Sequence, residues 1–195
     1  MRIPMPAAVL AGGASRRMGR PKAALPYGGA TLLEFQTRRL AELFAEVFVV
    51  VKEEPAFPVG PARVLYDRVP QRAAIFGLVR AIEETDDRVF VLGVDLPGVS
   101  PALIRLIAAR GGATQASALV PRADGRLQPL AAVWRRSALD AARGTILSGR
   151  LALQRLAEEC GAEILEEAEW RSAACEGAFA NLNTLEDYAA HRERA

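Results

Sequence analysis

The most informative segment of the chain is Leu10-Ala-Gly-Gly-Ala-Ser-Arg-Arg-Met-Gly-Arg-Pro-Lys22. The apolar residues 6–10 directly before it are typical of a strand buried in a sheet. Gly12 and Gly13 lack a β-carbon, so backbone N–H groups can approach an anion closely. The cationic side chains that follow are Arg16, Arg17, Arg20 and Lys22. This combination predicts a loop that binds a triphosphate, and the alternative is a solvated basic turn between a strand and a helix.

Two well-known glycine-rich loops do not fit this segment. A P-loop requires Gly-Lys followed by Ser or Thr, whereas Lys22 follows Pro21 and precedes Ala23. The dinucleotide fingerprint Gly-x-Gly-x-x-Gly leads directly into a helix, whereas here a proline and an Ala-Leu-Pro-Tyr segment follow. The residues therefore indicate a phosphate loop of a third kind.

Length and composition favour a single globular domain that spans residues 1–195, because 51% of the residues are hydrophobic and 25% are charged. No apolar run approaches the roughly 20 residues of a membrane helix, and we expect no signal peptide and a cytoplasmic location. The net charge of +2 is too small to indicate a nucleic-acid surface by itself. Cys160 and Cys175 lack zinc-type spacing and the single histidine is His191, so neither a zinc site nor a Cys–His dyad is expected.

Apolar strands alternate with amphipathic helices along the first part of the chain. The predicted strands lie at residues 6–10, 46–51, 63–66 and 87–95, and the predicted helices begin after the cap Thr31, at Ala73 and at Pro101. We expect the third helix to end at Arg110. This order predicts an α/β fold with a three-layer, mostly parallel sheet and right-handed crossovers.

The pattern changes after Gly112, where two apolar runs flank the turn signal Ala123-Asp-Gly-Arg126. Residues 115–121 and 127–134 predict a hairpin that adds an antiparallel edge to the sheet, which agrees with Pro129, a residue that a central strand would not hold. The remaining predicted elements are helices at 136–143 and 149–160, a strand at 162–165 and a last helix capped by Asn183 or Thr184.

Two aspartates stand at the carboxyl ends of predicted strands. In open α/β sheets ligands bind outside these ends, so we expect Asp95 to face the same cleft as the loop that carries Lys22. A carboxylate near a triphosphate suits Mg²⁺, and the alternative is a cap of the turn before Pro97. Asp67 is a candidate to accept hydrogen bonds from the base or sugar of a nucleotide, and the alternative is a turn residue before Arg68.

The motifs resemble those of the nucleotidylyltransferases that attach a nucleotide to a phosphorylated acceptor. The first loop matches as Leu10-Ala-Gly-Gly-x-Ser-x-Arg-Met-Gly-x-x-Lys22, and its Ala-Gly-Gly form is similar to that of the molybdenum cofactor guanylyltransferases, whereas related cytidylyltransferases usually carry Ala-Ala-Gly. Asp95-Leu-Pro-x-Val resembles the family's Asp-x-Pro metal motif. Gln128-Pro129-Leu130 resembles its segment near the acceptor, and Asn-x-Asn-Thr-Leu-Glu-Asp187 resembles its Asn-x-Asn-Thr-Pro-Glu-Asp signature.

The chain also departs from the family pattern in two places. Lys52 follows Val51 at a position where family members often have asparagine. The segment Ala73-Ala-Ile-Phe-Gly77 stands where the family commonly has Gly-Pro-Leu-Ala-Gly, and it keeps the final glycine.

The resemblance implies the Rossmann-like fold of the nucleotide-diphospho-sugar transferases, with a nucleotide-binding half at residues 1–112 and an acceptor-binding half at residues 113–195. It implies an enzyme, a guanylyltransferase, that transfers GMP from GTP to the terminal phosphate of molybdenum-bound molybdopterin and releases pyrophosphate. Mg²⁺ is the implied cofactor. Transient contacts with other proteins of molybdenum cofactor biosynthesis, or with enzymes that receive the cofactor, fit this role.

The resemblance also implies a role for each site residue. Catalytic roles fall to Lys22, Asp95 and Arg17, and Asp95 is the expected metal ligand. Nucleotide-binding roles fall to Leu10, Ala11, Gly12, Gly13, Lys22, Asp67 and Asp95. Acceptor-binding roles fall to Arg16, Arg72, Gln128, Asn181 and Asn183.

Three alternatives stay open at this point. The same chemistry would suit a cytidylyltransferase or a sugar-phosphate nucleotidylyltransferase. A non-catalytic nucleotide-binding module that regulates a partner is the alternative from another class. A nucleic-acid-binding protein is disfavoured because the cationic cluster lies in one loop without interleaved aromatic residues. Covalent acyl transfer is disfavoured because the sequence offers no Ser–His or Cys–His pairing.

Overall fold

The computed structural model describes residues 2–12, 21–175, 177–182 and 184–192, and within them eight strands form one mixed sheet. The strands are β1 (Ala7–Leu10), β2 (Pro26–Tyr27), β3 (Ala30–Thr31), β4 (Val47–Val51), β5 (Arg63–Tyr66), β6 (Arg88–Gly93), β7 (Ala118–Ala123), β8 (Arg126–Leu127), β9 (Ala131–Arg135) and β10 (Glu163–Leu165). β2 and β3 form a separate antiparallel ribbon.

Helices connect most of these strands. They are α1 (Leu32–Leu43), α2 (Ala74–Glu83), α3 (Pro101–Ala113), α4 (Leu139–Leu147), α5 (Leu153–Glu159), α6 (Glu167–Trp170) and α7 (Leu185–Arg192). Short 3₁₀ turns lie at Lys22–Ala24, Arg136–Ala138 and Arg171–Ala173. Among the helices of the described residues, none has both the length and the apolar character that crossing a membrane would require.

The centre of the sheet is parallel. β1 pairs with β4 on one side and with β6 on the other, so that Leu10 lies opposite both Val50 and Gly93. β5 extends this parallel part beyond β4, with Val51 opposite Tyr66. The carboxyl ends of four parallel strands therefore meet at one edge of the sheet, which is where open α/β sheets bind their ligands.

Helices cover both faces of the sheet and create the three predicted layers. Alternate residues of a strand point to opposite faces, so Val9 packs in the core formed with α1 and α3, whereas Ala8 packs in the core formed with α2, α4 and α5. β1 and β4 are buried along their whole length, which explains their continuous apolar sequences. The α/β class with a mostly parallel sheet is confirmed.

The antiparallel part of the sheet differs in position from the prediction. The order of the main path is β10-β7-β9-β6-β1-β4-β5, so β9 and β7 lie inside the sheet and β10 forms the edge, parallel to β7. The apolar β9 is buried from Ala131 to Trp134, whereas the three-residue β10 suits an exposed edge. Pro129 lies in the link between β8 and β9, where it interrupts no strand.

α3 continues beyond its predicted end at Arg110, through two glycines to Ala113. A β-carbon on Gly111 would lie 2.5 Å from the β-carbon of Val133 in β9, so the helix reaches its position on the sheet only with glycine there. Gly112 has no such restriction, since its β-carbon would lie 3.7 Å from the Cε of Met5, an ordinary contact. Close helix–sheet packing thus overrides the helix-breaking tendency of the glycine pair.

We expect Gly111→Ala to destabilise the protein by about 1–3 kcal/mol, because overpacking would push α3 away from Val133. Gly112→Ala is the matched control and is expected to be neutral or stabilising by up to about 1 kcal/mol, because alanine is the better helix former. Urea unfolding of the two variants measures the difference. Equal free energies of unfolding would contradict this account of the α3 packing.

Candidate active site

A cavity of about 300 Å³ lies at the edge where the parallel strands end. Its walls come from the residues that follow β1, β4, β5 and β6 and from the start of α2. The residues of predicted function that line it are Leu10, Ala11, Gly12, Lys22, Asp67, Arg72 and Asp95. The topology therefore gathers side chains that are far apart in sequence around one concave space.

Lys22 and Asp95 meet in this cavity. The distance from Lys22 Nζ to Asp95 Oδ2 is 3.1 Å, and the two side chains are 18% and 22% exposed. Lys22 opens the 3₁₀ turn Lys22–Ala24, while Asp95 follows the buried end of β6. A cation and a carboxylate at the mouth of a concave site can together bind a phosphate and a divalent metal ion.

Backbone contacts define the position of Asp95. Val94 N donates to Leu10 O at 3.2 Å, and Leu182 N, from the segment before α7, donates to Asp95 O at 3.0 Å. A β-carbon on Gly93 would lie 2.8 Å from Asp95 Oδ1, so the glycine at the end of β6 leaves room for the carboxylate. The aspartate is thus held by β1, by β6 and by the C-terminal segment.

At the described start of the glycine loop, two backbone groups bond within the sheet. Ala11 N donates to Val50 O of β4 at 2.9 Å, and Leu10 O accepts from Val94 N. These groups extend the sheet, so Ala11 contributes the shape of the cavity wall rather than a hydrogen bond through its N–H. Gly13, Arg16, Arg17 and Arg20 lie outside the described residues.

Lys52 and Asp67 form a buried ion pair in the lining of the same cavity. Lys52 Nζ lies 2.6 Å from Asp67 Oδ2, with side chains 11% and 5% exposed. The ammonium also donates to Val69 O at 2.6 Å and to Gln71 O at 2.8 Å, so each of its three N–H groups has an acceptor. Asp67 Oδ1 in turn accepts from Val69 N at 3.0 Å. Lys52 thereby attaches the segment after β5 to the end of β4.

The partnership of Lys52 and Asp67 was missed from sequence, although a signal was present. Each residue directly follows an apolar strand, and in parallel register Val51 lies opposite Tyr66. Opposite charges at the ends of two neighbouring strands are therefore brought side by side. Detecting this requires knowing that β4 and β5 are neighbours.

The candidate acceptor residues are more dispersed. Arg72 lines the cavity, is exposed, and pairs with the exposed Glu53 at 3.4 Å. Gln128 lies outside the lining of the cavity formed by the described residues, and its Nε2 donates to Arg126 O at 3.4 Å. Asn181 is exposed and precedes Leu182, the residue that bonds to Asp95 O. Asn183 lies outside the described residues.

The described residues of the cavity offer few side chains that could bind a metal ion. Among the described residues there is no group of three or more His, Cys, Asp or Glu side chains arranged to hold a metal. Asp95 offers one partly exposed carboxylate. Mg²⁺ needs only one or two protein carboxylates and completes its shell with water and substrate phosphates, so the residues present fit a magnesium ion bound together with a nucleotide.

Comparison with known sequences identifies related proteins. The family model of the MobA-like NTP transferase domain matches residues 7–165. A probable molybdenum cofactor guanylyltransferase of Mycobacterium bovis (strain BCG / Pasteur 1173P2) is 39% identical over 144 residues, which cover 71% of each chain. A protein of the same name from Mycobacterium avium (strain 104) is 34% identical over 185 residues, covering 92% of this chain and 90% of the relative.

Comparison with solved structures confirms the fold type. Molybdopterin-guanine dinucleotide biosynthesis protein A from Archaeoglobus fulgidus has a TM-score of 0.84 at 24% identity, with 97% of this chain and 98% of that chain covered. A 2-C-methyl-D-erythritol 4-phosphate cytidylyltransferase from Thermus thermophilus has a TM-score of 0.69 at 20% identity, with 96% and 97% covered. At these identities the likeness concerns the fold, which is that of the nucleotide-diphospho-sugar transferases, as predicted.

We expect Lys52→Met to lower the free energy of unfolding by about 3–5 kcal/mol, because it leaves the Asp67 carboxylate buried without its counter-charge. The double variant Lys52→Met/Asp67→Asn should recover much of this loss. Urea unfolding of both variants provides the measurement. Arg143→Met is the control, because its ion pair with Asp140 is exposed and should contribute at most about 1 kcal/mol. A Lys52→Met variant as stable as the control would contradict the structural role of the pair.

Proposed function

The chain belongs to the family of MobA-like NTP transferase domains and is therefore a nucleotidyltransferase, and on this premise we propose that it transfers GMP from GTP to the terminal phosphate of molybdenum-bound molybdopterin. The products are pyrophosphate and the guanine dinucleotide form of the cofactor. The names of the relatives from Mycobacterium bovis and Mycobacterium avium support this reaction, as does the Ala-Gly-Gly form of the first loop.

The observation that carries the proposal is the approach of Lys22 Nζ to within 3.1 Å of Asp95 Oδ2 inside the cavity. Phosphoryl transfer depends chiefly on orienting the phosphates and neutralising their charge. A cationic donor and a metal-binding carboxylate at one point meet both needs. Both residues lie at the edge of the sheet where the loop with Gly12 begins, which is where the phosphates of a nucleotide would be bound.

The proposed reaction is an in-line displacement at the α-phosphorus of GTP. An oxygen of the acceptor phosphate forms a bond to this phosphorus, and the bond from the phosphorus to the oxygen that bridges to the β-phosphate breaks. The electron pair of that bond leaves with pyrophosphate. The acceptor phosphate is already anionic near neutral pH, so the site needs no strong general base.

Each residue has a role in this scheme. Lys22 binds and orients the phosphates through its ammonium group. Asp95 would hold Mg²⁺, which when bound neutralises the phosphate charge that builds up during transfer. Asp67, fixed by Lys52, orients the base or sugar through the acceptor capacity that its oxygens retain.

The remaining expected roles are part of the same proposal. Arg17 would assist transfer, and Gly13 would contact the nucleotide through its backbone. The acceptor would be bound by Arg16, Arg72, Gln128, Asn181 and Asn183. Residues 1–112 would then bind the nucleotide and residues 113–195 the acceptor, within one domain.

Pyrophosphate release from each of the four nucleoside triphosphates, measured with and without molybdenum-loaded molybdopterin, tests the proposal. We expect pyrophosphate release only with GTP among the four nucleotides, and only when the acceptor is present. The mass of the product should equal that of the acceptor with GMP attached. Release with CTP would favour a cytidylyltransferase, an alternative supported by the likeness to the Thermus thermophilus enzyme. Binding of GTP without release would favour a non-catalytic nucleotide-binding module.

We expect Asp95→Asn to lower kcat/KM for guanylyl transfer by about 10²-fold or more. The substitution removes the negative charge of the one carboxylate that both pairs with Lys22 and would hold the metal ion. Steady-state kinetics and circular dichroism measure the activity and the fold. Asp140→Asn is the matched control, since this aspartate is 93% exposed and pairs only with Arg143 of its own helix among the described residues. Activity of Asp95→Asn close to that of the control would remove the metal assignment.

A further inference from the structure

A largely buried arginine of α1 lies behind the turn that carries Asp95. Arg39 Nη1 donates to Pro97 O at 2.8 Å, and Arg39 Nη2 donates to Gln36 Oε1. Gln36 is fully buried, and its Nε2 donates to Val94 O at 3.3 Å. The two side chains therefore hold the turn on both sides of Asp95, at residues 94 and 97, from one helix.

The chemistry of Arg39 is unusual for a side chain that only packs. Among the described residues its hydrogen-bond acceptors are neutral, a carbonyl and an amide, and its Nε is buried without a partner. Burial lowers the pKa of Arg39 to about 10, so the guanidinium stays charged at neutral pH. A buried charge without a carboxylate partner destabilises a fold compared with an apolar side chain of similar size. The Cζ of Arg39 also lies 5.2 Å from the centre of the Phe35 ring in the same helix. Its hydrogen bond to Pro97 O is the contact that reaches the turn of Asp95.

The turn has a third attachment in Leu182 N, which donates to Asp95 O at 3.0 Å. The backbone is thus held at residues 94, 95 and 97 while the Asp95 carboxylate points to Lys22. We propose that Arg39, together with Gln36, is a positioning residue that fixes this turn and thereby aims the carboxylate of Asp95 for nucleotidyl transfer. This inference rests on the proposed function of Asp95.

Arg38 provides a matched control in the preceding helix position. Its side chain is 61% exposed and pairs with Glu34 of the same helix at 2.9 Å. Arg38→Met removes the same charge from the same helix as Arg39→Met, and it leaves the contacts of the turn intact. Any effect of net charge or helix propensity is therefore shared by both variants.

The experiment uses the full chain with two measurements. Hydrogen–deuterium exchange without added nucleotide follows the backbone amides of residues 94–96, 98 and 99, since Pro97 has none. Steady-state kinetics at a series of Mg²⁺ concentrations follow guanylyl transfer. In Arg39→Met we expect about tenfold faster exchange in this segment, since a buried hydrogen-bonded anchor is lost. We expect kcat to fall by about 10- to 100-fold and half-maximal activity to require more Mg²⁺, while KM for GTP changes by less than about threefold.

Arg39→Lys, which keeps the charge and one potential donor to Pro97 O, should recover part of kcat, and Gln36→Leu should reproduce the Arg39→Met pattern. If Arg39→Met does not fold, the exchange rates and kcat values of Arg39→Lys and Gln36→Leu test the proposal instead. Wild-type exchange and wild-type kcat in the folded variants would overturn the proposal, as would equal effects in Arg38→Met. Faster exchange of the turn in Arg39→Met, combined with a wild-type protein that transfers no GMP, would support the structural role and refute the proposed function.

Discussion

The parallel pairing of β1 with β4 and β6 is the constraint on which the rest of the structure depends. Because Leu10 lies opposite both Val50 and Gly93, the three central strands end together. Every chemically informative residue of the cavity follows one of these ends or that of β5. A shift of one residue in this register would exchange the faces of the alternating core side chains, so the same apolar packing that stabilises the sheet also fixes the geometry of the site.

Two ion pairs of the described residues line the cavity. Lys22 faces Asp95, and Lys52 faces Asp67, so each carboxylate at a strand end has its own cation. The two pairs differ in burial: the first is open enough to exchange partners with a ligand, whereas the second is enclosed and also bonds to the backbone of the following segment. The first pair is thus suited to chemistry and the second to holding the wall.

Local sequence patterns predicted much of this molecule. Continuous apolar runs identified β1, β4 and β6, and Thr31 caps α1 through a reciprocal bond with Glu34, as a polar residue before an apolar repeat indicates. Long-range relations could not be predicted in this way. The inner position of β9, the passage of α3 over Val133 and the contact of Arg39 with Pro97 each depend on elements that are distant in sequence.

The bond from Leu182 N to Asp95 O joins the middle of the chain to a segment near its C-terminus. During translation, residue 95 leaves the ribosome well before residue 182 has been added. A nascent chain can therefore contain β1, β4, β5 and β6 before it contains Leu182, whose N–H donates to the carbonyl of Asp95. The backbone at Asp95 therefore gains this attachment only after residue 182 has been added, so the placement of its carboxylate depends on a segment outside the central sheet.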